Sequence, residues 1–238
     1  MGEERDRGPT VTLIRLHVVA EGQTEENFIK AVLAPELWTY QVLTDVHRVT
    51  TGRRRSRVFR GGLTTYQQLR NDLHRWMTED QNLDAHFTTM VDLYRLPADF
   101  PGHQDCLGHA DPLARAECLE QKLWREINHP RFVPYLQIHE FESLLFSDPS
   151  KFLIAFPARS DAIQRLQEIR GQFPSPEHID DGAKTAPSKR IASLLPEYVK
   201  PVAGPLIIRH IGLHNLRREC AHFDAWIQRL QALAAGLS

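Results

Sequence analysis

The sequence predicts an α/β protein in which a mostly parallel, four-stranded sheet is flanked by helices and followed by a helical C-terminal extension. Three observations support this fold class. Four short apolar runs between residues 11 and 148 each precede a segment with helical spacing, which is the β-α alternation of a doubly wound sheet. The first run is apolar on both faces, as in an interior parallel strand. Beyond residue 149 the strand signals stop and helical periodicity continues.

These patterns divide the chain into three parts. Residues 1–10 are charged and polar, so we expect a disordered tail. Residues 11–148 form the predicted α/β core, and residues 149–238 form a helical region that we expect to pack on it. A chain of 238 residues is long enough for one large domain or for one domain with an appended lobe.

The first strand is predicted over residues 11–20. His17 lies within it and is interpreted as a packed or hydrogen-bonded histidine rather than a ligand. A helix should follow, with Thr24 as its N-cap and Glu25 and Glu26 in its first turn.

The second strand is predicted over residues 42–49, and an arginine- and glycine-rich stretch after it predicts a mobile basic loop. A helix is predicted over 65–77, a third strand over 85–91 ending at Asp92, and then a long loop over 94–112. Another helix follows over 114–128. The fourth strand, over 132–138, leads directly into His139, Glu140, Phe141 and Glu142. The helices predicted beyond it cover 150–156, 161–172, 188–195, 204–211 and 222–233.

Composition and charge narrow the classes of partner. The formal net charge is -1, so a nucleic acid would have to meet a local basic patch rather than a global basic field. No apolar run approaches the roughly 20 residues that span a bilayer, which predicts no membrane partner. The three cysteines (Cys106, Cys118 and Cys220) are widely spaced and odd in number. They argue against a disulfide scaffold or a cysteine zinc site and favour a reducing cytoplasm.

Four acids fall at predicted strand ends or just beyond them: Glu21, Glu25, Asp92 and Glu140. Because the carboxyl ends of parallel strands share one edge of a sheet, these side chains could converge there. Mg²⁺ or Mn²⁺ prefers such carboxylate oxygens and completes its shell with water and phosphate oxygens. The alternative is that these acids are solvated loop residues, or that Glu25 and Glu26 only stabilise the helix dipole.

The stretch Glu21-Gly22-Gln23-Thr24-Glu25, followed by Val91-Asp92-Leu93-Tyr94 after a strand, resembles the Toprim domain. Five further stretches resemble a bacterial Toprim-like family known as a domain of unknown function, family 4276, which is distantly similar to nucleases of the overcoming-lysogenization-defect type. They are Leu96-Pro97-Ala98-Asp99-Phe100-Pro101-Gly102, Ile138-His139-Glu140-Phe141-Glu142-Ser143-Leu144-Leu145-Phe146, Pro187-Ser188-Lys189-Arg190-Ile191, Ile211-Gly212-Leu213 and Cys220-Ala221-His222-Phe223. The resemblance covers about residues 11–235.

The resemblance implies roles for individual residues. Glu21 matches the Toprim glutamate, a metal ligand or a general acid or base. Asp92 matches the first aspartate of the Asp-x-Asp motif, whereas position 94 carries Tyr94 in place of the second. A metal site would then need Glu140 or Glu25 as a replacement ligand.

Three further residues near these motifs are candidates for a role in the site. Asp99 is a further candidate for the replacement metal ligand. His139 either transfers protons or orients Glu140. Lys189 either reaches a scissile phosphate or lies at the surface, and Glu142 is expected to be a solvated or capping residue.

The basic loop carries five arginines in eight residues: Arg53, Arg54, Arg55, Arg57 and Arg60. Arginine pairs bidentately with phosphate, so this loop could hold a nucleic-acid backbone. It could equally be a solvated loop or a contact for an acidic partner.

Two functions therefore follow as hypotheses. The first is a Mg²⁺- or Mn²⁺-dependent nuclease that acts on DNA or RNA. The resemblance implies, for such a protein, an anti-phage role beside an ATPase partner subunit. The second is a non-catalytic subunit that binds nucleic acid or a partner. No Walker loop is present, so the sequence does not support an ATP motor within the chain.

Overall fold

The computed structural model describes residues 13–54, 57–60, 62–179, 182 and 184–235, so the predicted tail over 1–10 lies outside the described residues. The strands are β1 (Ile14–Ala20), β2 (Val42–Arg48), β3 (Thr50–Arg54), β4 (Arg57–Arg60), β5 (Ala85–Asp92), β6 (Phe132–Val133) and β7 (Leu136–Gln137). The helices are α1 (Gln23–Phe28), α2 (Ala34–Trp38), α3 (Tyr66–Glu79), α4 (Pro112–Ile127), α5 (Glu142–Leu145), α6 (Phe152–Ala155), α7 (Ser160–Gly171), α8 (Pro187–Leu194), α9 (Lys200–Ile211), α10 (Leu213–Glu219) and α11 (Ala221–Gln231). A π-helical turn, Ile29–Leu33, joins α1 to α2.

The main sheet is parallel and has the strand order β2-β1-β5-β6, with β7 also paired to β5. The predicted α/β class, with helices on both faces and a helical C-terminal region, is confirmed. Ala20 is opposite Arg48 of β2 and Met90 of β5, so three strands end at the same edge. That edge carries the residues discussed below.

The fourth strand is not continuous as predicted, because Pro134 has no N–H with which to continue the ladder. Side chains of β5 bridge the gap. The Thr88 hydroxyl donates to the carbonyl of Val133 at 2.6 Å, and the Thr89 hydroxyl donates to that of Tyr135 at 2.7 Å. The interruption therefore leaves the neighbouring backbone groups satisfied.

Each face of the sheet covers a hydrophobic core. Ile14, Leu16 and Val18 of β1 point to one face, where they share a core with α1, α9 and α11. On the other face, Val19 packs with residues of α3 and α4. This alternation along β1 agrees with the predicted interior strand.

The helices after residue 149 thus share their core with β1, and a side-chain hydrogen bond adds to this contact. Trp226 of α11 donates its indole N–H to Thr88 of β5 at 2.9 Å, and it stacks on Tyr135. Helix α10 has no counterpart among the predicted helices.

Four local predictions were wrong. Gly22, not Thr24, is the N-cap of α1. The predicted basic loop forms an antiparallel hairpin of β3 and β4, in which Arg54 pairs with Arg57. Cys106 and Cys118 form a disulfide, whereas Cys220 is free and buried. The spacing of the cysteines gave no sign that the loop before α4 folds back onto that helix. The fourth error, the environment of Glu142, belongs to the site.

Within the described ranges, no helix combines the length and the apolar character that crossing a bilayer requires.

Candidate carboxylate site

The first two predicted acids meet at the carboxyl edge of the sheet. Glu21 directly follows β1, and Asp92 is the last residue of the adjacent strand β5. The backbone N–H of Asp92 donates to Glu21 Oε2 at 2.9 Å. The Glu21 carboxyl group therefore reaches the backbone of the neighbouring strand at Asp92.

Lys200, the first residue of α9, is the cation at this site, and sequence reasoning missed it. Its Nζ lies 2.9 Å from Glu142 Oε2, 3.5 Å from Asp92 Oδ2 and 3.7 Å from Glu25 Oε1. We call Glu21, Glu25, Asp92 and Glu142, together with Lys200, the carboxylate cluster. A lysine opposes the helix dipole at a helix N-terminus, so its place here is explained by the acids it faces.

The acids around Lys200 are buried. Glu142 is 0% exposed, Glu25 is 3% exposed and Asp92 is 9% exposed. The prediction that Glu142 is a solvated or capping residue was therefore wrong. Nothing in the local sequence distinguishes Glu142 from a surface acid, because its partner lies 58 positions further along the chain in α9.

Burial raises the pKa of three of these carboxyl groups. It raises the pKa of Glu142 to about 7, against the opposing charge of Lys200. It also raises the pKa of Asp92, where the charges of Glu21, Glu25 and Glu142 add to the effect. The pKa of Glu21 is raised by burial, although backbone hydrogen bonds from Asp92 and Leu63 oppose the rise. Shifts of this kind concentrate at functional sites.

Lys200 responds in the opposite sense. Burial alone would lower its pKa, but the charges of Asp92, Glu142 and Glu25 raise it above its ordinary value. Lys200 is therefore a permanent cation. If all four carboxyl groups are ionised, one positive charge faces four negative charges, and the cluster lacks positive charge.

Two glycines allow the backbone to come close to side chains in and around the carboxylate cluster. A Cβ atom at Gly22 would lie 3.1 Å from Glu25 Oε2. At Gly204 of α9 it would lie 3.2 Å from Tyr198 Oη and 3.5 Å from Thr24 Cγ2 of α1. The missing side chain at Gly204 lets α9 pack against α1, and this packing brings Lys200 to Glu25.

The segment His139–Glu142 links the cluster to its neighbours. Asp92 Oδ1 accepts the backbone N–H of Phe141 at 3.0 Å. Glu140 is buried, but its Oε1 accepts the backbone N–H of Ser188 at 2.5 Å, in the first turn of α8. The structure thus places Glu140 at the start of α8, where a carboxylate is stabilised by the helix dipole.

His139 has a left-handed backbone, with φ of 58°. Its Nε2–H donates to the carbonyl of Glu177 at 3.0 Å. Glu177 belongs to the short 3-10 turn Pro176–His178. The ring of His139 therefore fastens the start of the segment to that turn.

The remaining predicted residues lie around the cluster. Lys189 is exposed in the first turn of α8 and makes no ion pair with a described residue. Both carboxyl oxygens of Asp99 accept the backbone N–H of Tyr66, at 3.0 and 3.1 Å, at the start of α3. Tyr94 is half-buried beneath the guanidinium of Arg95.

The arginine hairpin, formed by β3 and β4, begins two residues after β2 ends. Its base lies beside β1, because the backbone N–H of Val49 donates to the carbonyl of Ala20 at 2.9 Å. Thr50 donates its N–H to Asp72 of α3 at 2.6 Å. The hairpin therefore starts at the strand edge that carries Glu21. Arg53, Arg54, Arg57 and Arg60 belong to its strands, and Arg55 lies outside the described residues.

The donor set suits a hard divalent cation by its chemistry, because it consists of carboxyl oxygens that Lys200 alone does not neutralise when all four acids are ionised. Its spacing is wider than one shared ion requires. In the part of the chain that the structure describes, only His17, Asp45 and His47 bring three potential ligand atoms within 4.8 Å of one another. A cation in the carboxylate cluster would therefore need its acids to draw closer together.

The raised pKa of Glu142 predicts a pH-dependent stability. A carboxyl group with a higher pKa in the folded protein binds its proton more tightly there. Its contribution to the free energy of unfolding therefore falls as the pH rises from 4.5 through about 7. The rise in the pKa of Glu142 from 4.5 to about 7 corresponds to roughly 3 kcal/mol in the free energy of unfolding. We expect the difference between wild type and Glu142→Gln in urea unfolding to fall by this order between pH 5 and 8. A difference that stays constant over this range would contradict the assignment.

Comparison with known proteins identifies the family. A family model described as "Domain of unknown function (DUF4276)" matches residues 20–231. No curated protein matches the chain, and no solved structure matches it. The match includes the whole carboxylate cluster and the arginine hairpin, and it extends over most of the 238 residues. The chain therefore belongs to the DUF4276 family, as its motifs predicted.

Proposed function

We propose that this protein is a Mg²⁺- or Mn²⁺-dependent nuclease that hydrolyses phosphodiester bonds in DNA or RNA. The observation that carries the proposal is the carboxylate cluster at the carboxyl edge of a parallel sheet, where burial raises the pKa of Glu21, Asp92 and Glu142. Such an edge is the usual ligand position in open α/β sheets. A cluster short of positive charge gains stability from a bound cation.

The residues take the following roles in this proposal. Glu21 and Asp92 hold the ion, and Glu25 or Glu142 completes the protein ligands in place of the aspartate that Tyr94 replaces. When bound, the ion supplies Lewis-acid activation of water and neutralises charge on the phosphate. Lys200 is one-third exposed, so its side chain can turn from the acids towards a phosphate oxygen. Glu140 positions α8, whose exposed Lys189 is a second candidate contact for the phosphate.

The arginine hairpin supplies the proposed nucleic-acid contact. Its base lies beside the strand edge that carries Glu21, so a backbone held by the hairpin would pass near the cluster. Since the contact is with phosphate, we expect little sequence preference.

The biological setting is proposed from the Toprim resemblance alone. It favours an effector of anti-phage defence that works with an ATPase partner subunit. The cytoplasmic location that the cysteine pattern predicted is not supported by the Cys106–Cys118 disulfide. The carboxylate cluster itself carries no information about that partner.

The direct test is a cleavage assay. Purified protein would be incubated with single- and double-stranded DNA and RNA in Mg²⁺ or Mn²⁺, with EDTA as the metal-free control. We expect cleavage of at least one substrate that EDTA abolishes and that Glu21→Gln reduces. Cleavage that Glu21→Gln leaves unchanged would overturn the assignment to this cluster, as would the absence of cleavage with either metal.

The second candidate, a non-catalytic binding subunit, is favoured by two observations. The carboxylate cluster is spaced more widely than one shared ion requires. Lys200 already pairs with Glu25, Asp92 and Glu142, which is how a purely structural cluster would be neutralised. Nucleic-acid binding without cleavage in the same assay would support this candidate.

Both candidates predict that the arginine hairpin binds nucleic acid electrostatically. Replacing Arg53 and Arg54 with glutamine should weaken binding and reduce its dependence on salt. For double-stranded DNA, the slope of log K against log salt should fall by about 0.9 for each phosphate that the variant no longer neutralises. Fluorescence anisotropy over a range of NaCl concentrations measures this slope. Arg125→Gln is the matched control, because Arg125 is exposed at the far end of α4. Equal slopes for the two variants would exclude the hairpin as the binding surface.

A further inference from the structure

A second cluster of ligating side chains lies away from the carboxylate cluster, on the face of the sheet covered by α3. His17 of β1 is opposite Asp45 of β2, and His47 lies two residues further along β2. The His17 Nδ1 and His47 Nε2 atoms are 3.4 Å apart, and His47 Nε2 is 3.1 Å from Asp45 Oδ2. One ligand atom from each of the three residues lies within 4.8 Å of the other two.

These distances match the edges of a metal coordination shell. With Zn–N and Zn–O bonds of about 2.0–2.1 Å, neighbouring ligand atoms of a tetrahedral ion are about 3.3 Å apart. Two of the three edges already have this length. The third distance, between His17 and Asp45, can shorten because the Asp45 side chain is 65% exposed and has room to adjust.

The proton on His17 is held on the nitrogen that faces away from the other two ligands. His17 Nε2 is 2.9 Å from Asp80 Oδ2, while Arg15 and Asn82 donate to Asp80 Oδ1 at 3.0 and 2.7 Å. An ionised carboxylate only accepts hydrogen bonds, so His17 Nε2 must donate. In the neutral ring, the lone pair is then on Nδ1 and points at His47. A histidine ligand whose other nitrogen is bound by a carboxylate is the usual outer-shell arrangement of metal sites.

The surroundings fix the two rings and leave one side open. His47 stacks on Trp76 of α3, and His17 stacks on Phe87 of β5. A cleft of about 390 Å³ is lined by His17, Asp45 and Asp80, among others. Two of the three proposed ligands, His17 and Asp45, therefore line a cleft, which leaves room for water or another ligand in the fourth position.

We propose that His17, Asp45 and His47 form a binding site for a first-row divalent transition metal, of which Zn²⁺ is the best match, with Asp80 as the residue that positions His17. Imidazole nitrogens select borderline ions over Mg²⁺, so this site and the carboxylate cluster take different cations. The bound ion would join the edge strand β2 to β1. The site does not depend on the proposed nuclease function.

The same contacts could instead be a hydrogen-bond network in which His47 Nε2–H is shared between Asp45 and His17. The test therefore measures metal binding itself. Protein treated with EDTA and then freed of it would be titrated with ZnCl₂ by calorimetry, and with CoCl₂ by visible absorption. We expect one ion per chain with micromolar or tighter affinity, and a Co²⁺ spectrum that shows a low coordination number without thiolate bands.

Single substitutions test which side chains bind the ion. Asp45→Asn and His47→Gln should each weaken Zn²⁺ binding at least 10-fold. Asp80→Asn, which keeps all three ligands, should weaken it by about 10- to 100-fold. The matched control is His74→Gln, an exposed histidine of α3, which should leave it unchanged. Circular dichroism checks that each variant is folded.

Either of two results would overturn the proposal: no stoichiometric Zn²⁺ or Co²⁺ binding by the wild type, or binding that Asp45→Asn and His47→Gln both leave intact. Asp92→Asn separates this site from the proposed nuclease site, because it should impair cleavage and leave Zn²⁺ binding unchanged.

Discussion

Replacing Lys200 with methionine is expected to lower the free energy of unfolding by about 3 kcal/mol. Removing one partner of a buried ion pair typically costs about 3–5 kcal/mol, because the other charge is left uncompensated. Here three acids lose their cation at once, and Glu142 has no exposed surface. The lower end of the range applies because the Lys200 side chain is one-third exposed. Urea unfolding at pH 8, where Glu142 is ionised in both states, measures the effect.

The control is Lys151→Met, since Lys151 has a similar exposure and, among the described residues, pairs with one carboxylate, that of Asp148 at 3.5 Å. Its effect should lie within about 0.5 kcal/mol. Adding Glu142→Gln to Lys200→Met should recover part of the loss, because one uncompensated charge is removed. Equal effects of Lys200→Met and Lys151→Met would show that the cluster does not depend on its cation.

The Lys200→Met variant also tests the proposed metal site. If the acids can bind Mg²⁺, the ion should replace the lost ammonium and stabilise the variant more than the wild type. A Mg²⁺ concentration of 100 times the dissociation constant would raise the free energy of unfolding of the variant by about 2.7 kcal/mol. An equal response of both proteins to Mg²⁺ would favour the non-catalytic candidate.

The second large effect is expected on catalysis. Replacing Asp92 with asparagine should lower the rate of phosphodiester cleavage on the order of 100-fold or more, the usual size when one charge-stabilising group is lost from an active site. Asparagine keeps an oxygen to accept the N–H of Phe141, so the fold should be retained. The variant therefore tests the effect of the Asp92 charge on cleavage while the hydrogen bond to Phe141 is kept.

Glu168→Gln is the control for this measurement, because Glu168 is an exposed acid on α7 and lies outside the carboxylate cluster. It should cleave at the wild-type rate. Asp92→Asn activity above half that of wild type would exclude Asp92 from the reaction. Thermal unfolding of both variants checks that a loss of activity is not a loss of fold.

The strands were predictable from sequence because their physical cause is local. The nearly continuous apolar run of β1 indicates burial on both faces, and Asp92 ends an equally buried strand at the sheet edge. The meeting of Glu21 and Asp92 follows from parallel topology alone. The division of the fourth strand was harder to predict. Pro134 interrupts the hydrogen-bond ladder, and two threonines of β5 bond to the neighbouring carbonyls instead.

The cation of the carboxylate cluster could not be predicted, since its position depends on how α9 packs on α1. Lys200 follows Tyr198 and Val199 in a stretch with no motif, and its acids are 58 to 175 positions away. The contact between His17 and His47 could not be predicted either. His47 is visible in the sequence, but the contact depends on the register of β1 against β2.

The source of Lys200 has a consequence for the modularity of the chain. The acids belong to the α/β part, whereas their counter-charge comes from the helical part, which also covers one face of β1. A polypeptide ending at residue 148 would retain every predicted acid and lose the residue that makes their burial tolerable. The two parts therefore share this site, and we expect that neither half would keep it intact if it were transplanted into another protein.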